Sequence, residues 1–244
     1  MKICVAQTRP IKGNIHKNIE NHTKLISMAV AKGVKMIIFP ELSLTGYEPT
    51  LAKELATHQD DIRFEIFQKI SDSKKIIIGV GVPTQKDADI CISMLIFQPN
   101  KPIQLYSKKY LHPDEDSFFV SGQNSPNLII NKTNVAFAIC YELSISEHSE
   151  NAFKNGAEIY IASVAKTKIG VEKAIENLKA IAKKYEITVL LSNCVGYCDN
   201  SESAGKTSIL NNKGLVLAQL NDTEEGILIF DTDTQQIDKQ KSEK

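Results

Sequence analysis

Apolar residues recur along this chain in two rhythms. Short unbroken apolar runs alternate with longer stretches in which apolar residues return every three or four positions. The first kind reads as strands buried on both faces, the second as helices laying one stripe on a sheet. "KICVAQ" (2–7) predicts a first strand. The following segment carries Ile15, Ile19, Ile26, Ala29 and Val30 at helical spacing, with Asn14 placed as N-cap and Gly33 as the C-terminal stop. "VKMIIFP" (34–40) predicts a second strand ended by Pro40, and "ELSLTGYEPT" a loop. Asp60 or Asp61 caps a helix bearing Ile62, Ile66, Phe67 and Ile70 on one side. "KIIIGVGVP" is a third strand, and "ICISMLIFQ" with "IQLYSK" flank the turn-rich "PNKP" as an antiparallel hairpin.

Residues 109–126 show no period and read as a loop. "NLIIN" then pairs across "KTN" with the apolar strand that runs into Cys140. A short helix ends at Asn155-Gly156, and "AEIYIAS" is another strand. A long helix follows with a stripe of Val171, Ala174, Ile175, Leu178, Ile181, Ala182 and Tyr185. "ITVLLSN" is a strand, and "TSIL", "LVLAQL" and "GILIFD" form a closing antiparallel set around the turn "NNKG". The polar residues 232–244 read as a frayed end. Alternating strands and helices, interleaved with hairpins and without a repeat period or low-complexity linker, predict an α/β chain. It is read as one domain over residues 1–244, with mixed sheets covered by helices.

Charge adds little to this picture. Lys plus Arg and Asp plus Glu number 29 each, so a zero formal net charge gives no reason to expect nucleic acid or an anionic membrane as partner. No apolar run approaches the length of a membrane span, and the one near the start is too short for a signal peptide. Five cysteines, odd in number and mostly inside apolar runs, look like reduced thiols rather than a disulfide framework. The expected compartment is the cytoplasm.

Several tempting motifs fail. "AGKTS" resembles the end of a phosphate loop, but Asn200 stands where the first glycine belongs. Cys194 and Cys198 lack a second Cys/His pair at zinc spacing. The histidines are scattered singly, and His112 and His148 read as surface or loop residues. What remains is a set of charged residues at strand ends. Glu41 follows "MIIF" and Pro40, Lys108 and Lys109 end "IQLYS", and Glu115 lies in the polar loop beyond. Cys140 closes the run Val135 to Ile139, at the end of a strand where open α/β sheets place their chemistry. Singly each is ordinary, since free cysteines are commonly buried as small hydrophobes and strand-end charges are commonly solvated. Together they supply what amide hydrolysis by a thiol requires. A carboxylate takes the thiol proton, and an ammonium with a backbone N–H holds the oxyanion.

These residues carry a resemblance to the nitrilase-like carbon–nitrogen hydrolases over nearly the whole chain. "FPELSLTGY" resembles the family's glutamate motif and places its base on Glu41, and "YSKKYL" resembles the lysine motif and places that residue on Lys108, with Lys109 on the opposite strand face. "CYE" places the nucleophile on Cys140, and "HPDEDSFFVSG" places a second glutamate on Glu115. Two departures stand out. Ile145-Ser146 replaces a Phe-Pro or Tyr-Pro pair, and "ASVAK" (162–166) takes the place of a stretch with a tryptophan, of which this chain has none. The resemblance implies a four-layer αββα sandwich with two mixed sheets. It also implies a Glu41-Lys108-Cys140 triad supported by Glu115, and an oxyanion donor at the Tyr141 N–H. Tyr47, Ser163 and Lys166 become candidate pocket walls. The implied reaction is cleavage of a small carboxamide or N-carbamoyl compound by a homodimer with no metal or organic cofactor. Nitrile hydrolysis and a non-catalytic scaffold are the alternatives.

Overall fold

A computed structural model describes residues 1–124 and 127–242. The end of the predicted loop (Ser125, Pro126) and the last two residues of the predicted frayed tail (Glu243, Lys244) lie outside the described residues. In chain order the first half comprises β1 (Lys2–Gln7), α1 (Ile15–Ala31), β2 (Met36–Ile38), α2 (Ala52–Leu55), α3 (Glu65–Lys74), β3 (Ile77–Lys86), β4 (Asp89–Phe97) and β5 (Gln104–Ser107). The middle comprises β6 (Leu128–Ile130), β7 (Thr133–Ile139), α4 (Ser146–Lys154), β8 (Ile159–Ser163), α5 (Lys168–Tyr185) and β9 (Thr188–Ser192). It closes with β10 (Val195–Cys198), β11 (Ser201–Ala204), β12 (Ser208–Leu210), β13 (Val216–Gln219), β14 (Gly226–Asp231) and β15 (Ile237–Lys241).

Two mixed sheets stack face to face. One has the order β15-β14-β1-β2-β3-β4-β5 and the other β13-β12-β9-β8-β7-β6. Period-two alternation decides which side each residue serves. Cys4 and Ala6 of β1 and Ile37 of β2 pack under α1 and α3, against Ile26, Ala29 and Phe67. Ile3, Val5 and Ile38 point the other way and meet the second sheet. Beyond that sheet, the stripe of α5 from Val171 to Tyr185 covers Val189 and Leu191, and α4 contributes Ala152. The layers are therefore helix, sheet, sheet, helix, as the family resemblance implies.

Strand direction brings the functional ends together. β1, β2 and β3 are parallel, and β5 recovers their direction through two antiparallel steps across β4. In the second sheet β7, β8 and β9 are parallel. Buried hydroxyls fasten the two sets of C-terminal ends to each other. Ser163 Oγ donates to the Phe39 carbonyl at 2.8 Å, and Ser192 Oγ donates to those of Ala6 and Ile38 at 2.7 and 3.2 Å.

Three expectations need correction, and one hairpin went unread. Residues 237–241 form β15, paired with β14, rather than a frayed end, because an edge strand needs backbone hydrogen bonds but no apolar face. β14 leaves the closing set and pairs with β1 in the first sheet. Ile62 is 77% exposed and Ile66 is also exposed, so α3 is seated by Phe64 and Phe67, with Asp61 capping the turn before it. Cys198 and Ser201 close a hairpin between β10 and β11 over Asp199-Asn200, which the sequence reading passed over.

Candidate active site

Glu41, Lys108, Glu115 and Cys140 converge at the shared C-terminal ends. Glu41 follows β2 on a tight turn in which Ser43 N donates to the Pro40 carbonyl and Leu42 takes a left-handed φ of 49°. This turn lies directly on β3. A Cβ at Gly81 would stand 2.3 Å from Leu42 N and 2.5 Å from the Pro40 carbonyl oxygen, so only glycine allows the approach. Lys108 leaves β5 with its N–H on the Ile92 carbonyl, and its side chain is 0% exposed. Glu115 sits on a 3₁₀ turn (Pro113–Glu115) capped by His112, whose N–H donates to Glu115 Oε2 at 2.8 Å. Lys109 is exposed, as strand alternation requires.

The centre of the cluster is the Lys108 ammonium. It donates to Glu41 Oε1 and Glu115 Oε1, each at 2.8 Å, and the Tyr47 hydroxyl also donates to Glu115 Oε1 at 2.9 Å. Burial works against the ammonium's charge, but Glu41, Cys140 and Glu115 hold its pKa above the ordinary lysine value. Burial pushes the Glu41 carboxyl above its usual range; Lys108 pulls it back and Glu115 adds to the rise. The second Glu41 oxygen, Oε2, is buried without a hydrogen-bond partner among the described residues. That oxygen is the carboxylate's free acceptor, and interaction with the Cys140 thiol lowers the Glu41 pKa. The sulfur itself is pushed up to about 11, by burial first and then by Glu41, against Lys166 and Lys108, which pull it down.

Cys140 opens a 3₁₀ helix (Cys140–Ser144) directly after β7, with φ at 48°. A non-glycine residue in left-handed backbone costs free energy, and its surroundings must enforce it. Glu142 does much of that. Its Oε2 accepts from Ile139 N and the Tyr106 hydroxyl, each at 2.8 Å, while Oε1 accepts from Lys109 N at 2.7 Å. One buried carboxylate thus ties the nucleophile's turn to the peptide beside Lys108. Tyr141 N lies in the first turn of this helix, where N–H groups have no intrahelical partner.

Of the other candidates, Tyr47 joins the cluster through Glu115, and Tyr141 and Lys166 wall an open cleft of about 880 Å³ together with His112 and Ser144. Ser163 is buried between the sheets with its hydroxyl committed to Phe39, so it sits under the site and not on the wall. His148 is not a surface residue as expected. It is buried, with Tyr160 on Nδ1 at 2.8 Å and Tyr106 on Nε2 at 2.9 Å, behind Glu142. His22, Ser43 and Glu142 escaped the sequence reading. His22 Nδ1 faces the Asn18 carbonyl at 2.6 Å, which can only accept, so Nδ1 carries the proton and Nε2 takes the Ser43 hydroxyl at 2.9 Å. That link fastens the Glu41 turn to α1. The only signal for it in the sequence was Ser43 two residues beyond Glu41. The sulfurs of Cys194 and Cys198 lie 3.6 Å apart, close but unbonded. No group of three or more His, Cys, Asp or Glu among the described residues is arranged to hold a metal ion. No helix among them is long and apolar enough to cross a membrane.

Comparison with known proteins bears on the family and the fold. The chain is 25% identical over 250 residues to a Staphylococcus aureus protein described as "Hydrolase in agr operon", covering 99% of this chain and 94% of that one. It is 25% identical over 247 residues to a nitrilase of Pyrococcus abyssi, covering 96% and 90%. Among solved structures, an amidase from Nesterenkonia sp. AN1, captured with acrylamide added to its active-site cysteine, superposes with a TM-score of 0.86 at 20% identity, covering 95% of this chain and 92% of that one. The family model described as carbon-nitrogen hydrolase matches residues 2–242, and the chain belongs to that family, a hydrolase of carbon–nitrogen bonds.

Proposed function

We propose that this protein is a thiol-dependent amidohydrolase that cleaves the C–N bond of a small carboxamide or N-carbamoyl compound through a Cys140 thioester. The observation that carries the reading is the buried Lys108 ammonium held 2.8 Å from both Glu41 and Glu115, at the strand end where Cys140 stands on left-handed backbone. A binding scaffold has no use for this arrangement. Holding two carboxylates and an ammonium out of water costs several kcal/mol, a cost that catalysis gives a reason to keep.

In the reaction, Glu41 Oε2 takes the thiol proton as the sulfur attacks the amide carbon. The raised Glu41 pKa makes it the stronger base for that step. Lys108 and the Tyr141 N–H hold the oxyanion, in a site where exclusion of water strengthens both contacts. Glu41 then returns its proton to the leaving ammonia or amine, and next activates the water that hydrolyses the thioester. Glu115 fixes Lys108 against Tyr47. The same reading has the enzyme working in the cytoplasm, where its five free thiols stay reduced, as a homodimer. An ammonia-release screen over small amides, N-carbamoyl amines and nitriles tests it. Turnover on the first two classes is expected. A chain inert towards all three, or active only on nitriles, would refute it.

A further inference from the structure

We propose that Cys194 and Cys198 form a redox-active dithiol, separate from Cys140, which a peroxide closes to a disulfide and a thiol reductant reopens. Closing it frees the Tyr47–Glu48 segment from the β10–β11 hairpin. The thiol pair acts whether or not the hydrolase reading holds.

The two sulfurs stand 3.6 Å apart, and both residues are buried, at 1% and 4% exposure. Sequence spacing alone does not bring them together. Four residues of extended strand would separate their α-carbons by about 13 Å, beyond the reach of two cysteine side chains. Gly196 bends the chain between them with a left-handed φ of 84°. A Cβ there would lie 2.5 Å from Arg9 Nη1, so the bend favours glycine on both counts.

Contact with the Cys194 thiol is the main cause that holds Cys198 below the ordinary cysteine range, so Cys198 is the sulfur that meets a peroxide as thiolate. Its attack on one peroxide oxygen breaks the O–O bond, leaving a sulfenic acid on Cys198 and releasing hydroxide. The Cys194 sulfur then displaces the hydroxyl from Cys198, and its proton leaves with that hydroxyl as water. Two electrons pass from the two thiols to the oxidant, and hydrogen peroxide ends as two waters. A resolving thiol already in contact stops the oxidation at the disulfide.

The wider consequence follows from unequal anchoring. Cys194 is fixed on the sheet side. Its carbonyl accepts from Gly205 N at 2.9 Å, Val195 N donates to the Thr8 carbonyl at 2.9 Å, and Asn193 N donates to Thr207 Oγ1 at 3.0 Å. Cys198 stands at the hairpin tip, paired with Ser201. A disulfide needs its sulfurs about 2.05 Å apart, so the tip takes most of the closure. Asp199, next in the chain, donates its N–H to Glu48 Oε1 at 3.0 Å. Such a bond is gone by about 3.6 Å. It ties the hairpin to the residue after Tyr47, whose own hydroxyl holds Glu115.

The test exposes the full chain to a small excess of hydrogen peroxide, quenches in acid, then unfolds, alkylates and digests it with trypsin. Both cysteines leave in one peptide, Tyr185–Lys206. Burial pushes Cys4 and Cys91 above the ordinary thiol range, which makes them internal controls. The peptide is expected to become two hydrogens lighter and closed to alkylation about tenfold faster than either control is lost, with dithiothreitol restoring both sites. Cys194→Ser should stop at a Cys198 sulfenic acid that dimedone traps. In the wild-type chain the Asp199 amide should exchange with deuterium about tenfold faster once the disulfide has formed. The dithiol is overturned if both thiols stay open to alkylation while a control is oxidised, if either joins another cysteine, or if Cys194→Ser gives no dimedone adduct. An unchanged Asp199 exchange rate in the disulfide form would overturn its reach to the Tyr47–Glu48 segment. The wild-type mass and exchange readings need neither a variant nor a substrate, so their failure leaves the hydrolase reading untouched.

Discussion

Replacing Glu115 by glutamine keeps the shape of the side chain and removes one charge from the buried cluster. The Glu41 and Glu115 acceptor oxygens both lie 2.8 Å from the same lysine nitrogen, so they are at most about 5.6 Å apart. At that distance two like charges repel by about 3 kcal/mol with an effective dielectric constant near 20. In the wild-type protein this repulsion helps to raise the Glu41 carboxyl. Two consequences of Glu115→Gln follow. The acid limb of kcat/KM, which under the proposed mechanism reports ionisation of Glu41 in the free enzyme, moves to lower pH. Lys108 and Tyr47 both lose a charged acceptor, and exchanging charge-assisted for neutral hydrogen bonds forfeits about 1.5–3 kcal/mol. The plateau of kcat/KM should then fall by about tenfold to a hundredfold. Ammonia release on one good amide, measured from about pH 4 to pH 9, reads both effects. An unshifted acid limb with a plateau within about twofold of wild type would refute the electrostatic role given to Glu115.

Three further outcomes follow from the geometry around the site. Gly81→Ala forces a Cβ to within 2.3 Å of Leu42 N, so it should destabilise the fold by about 1–3 kcal/mol and lower kcat through a displaced Glu41; urea unfolding together with turnover reads both, and a fully active, equally stable variant would contradict the packing described. Glu142→Gln sets an amide against N–H donors that now meet a carboxylate, with an expected loss of about 1.5–3 kcal/mol in unfolding free energy, and a loss below about 0.5 kcal/mol would deny Glu142 its tying role. Burial holds His22 down to about 3, whereas the unfolded chain protonates it near the ordinary histidine value of 6.5. Its contribution to stability is therefore complete above pH 6.5 and is lost as pH falls towards 3, at about 1.4 kcal/mol per pH unit. Urea midpoints at pH 7 and pH 5 should differ in the wild type and converge in His22→Gln, and equal acid sensitivity of the two would refute it.

Much of this site was legible in the sequence because apolar runs mark where strands end, and parallel strands collect their ends at one edge. Glu41 after "MIIF" and Cys140 after "VAFAI" could be placed on that ground, and the motif around Lys108 singled it out from Lys109. Residues that act through a neighbour left no such trace. His22 sits on a helix stripe like any core residue, and only the folded contact with Ser43 reveals that it anchors the Glu41 turn. His148 looks solvated in a polar segment, yet α4 turns it inward onto Tyr106 and Tyr160. β15 was hidden for the opposite reason: its two lysines and one glutamine suit an exposed edge, and its stability lies in the backbone ladder with β14.

The most direct test mixes the enzyme with a small amide it turns over, quenches in acid within a fraction of a turnover time, and weighs the intact protein. The account expects a mass gain equal to the acyl fragment, mapped to the Cys140 peptide and sensitive to hydroxylamine, with neither adduct nor turnover in Cys140→Ala. Ammonia release by Cys140→Ala at a rate comparable to wild type would contradict it.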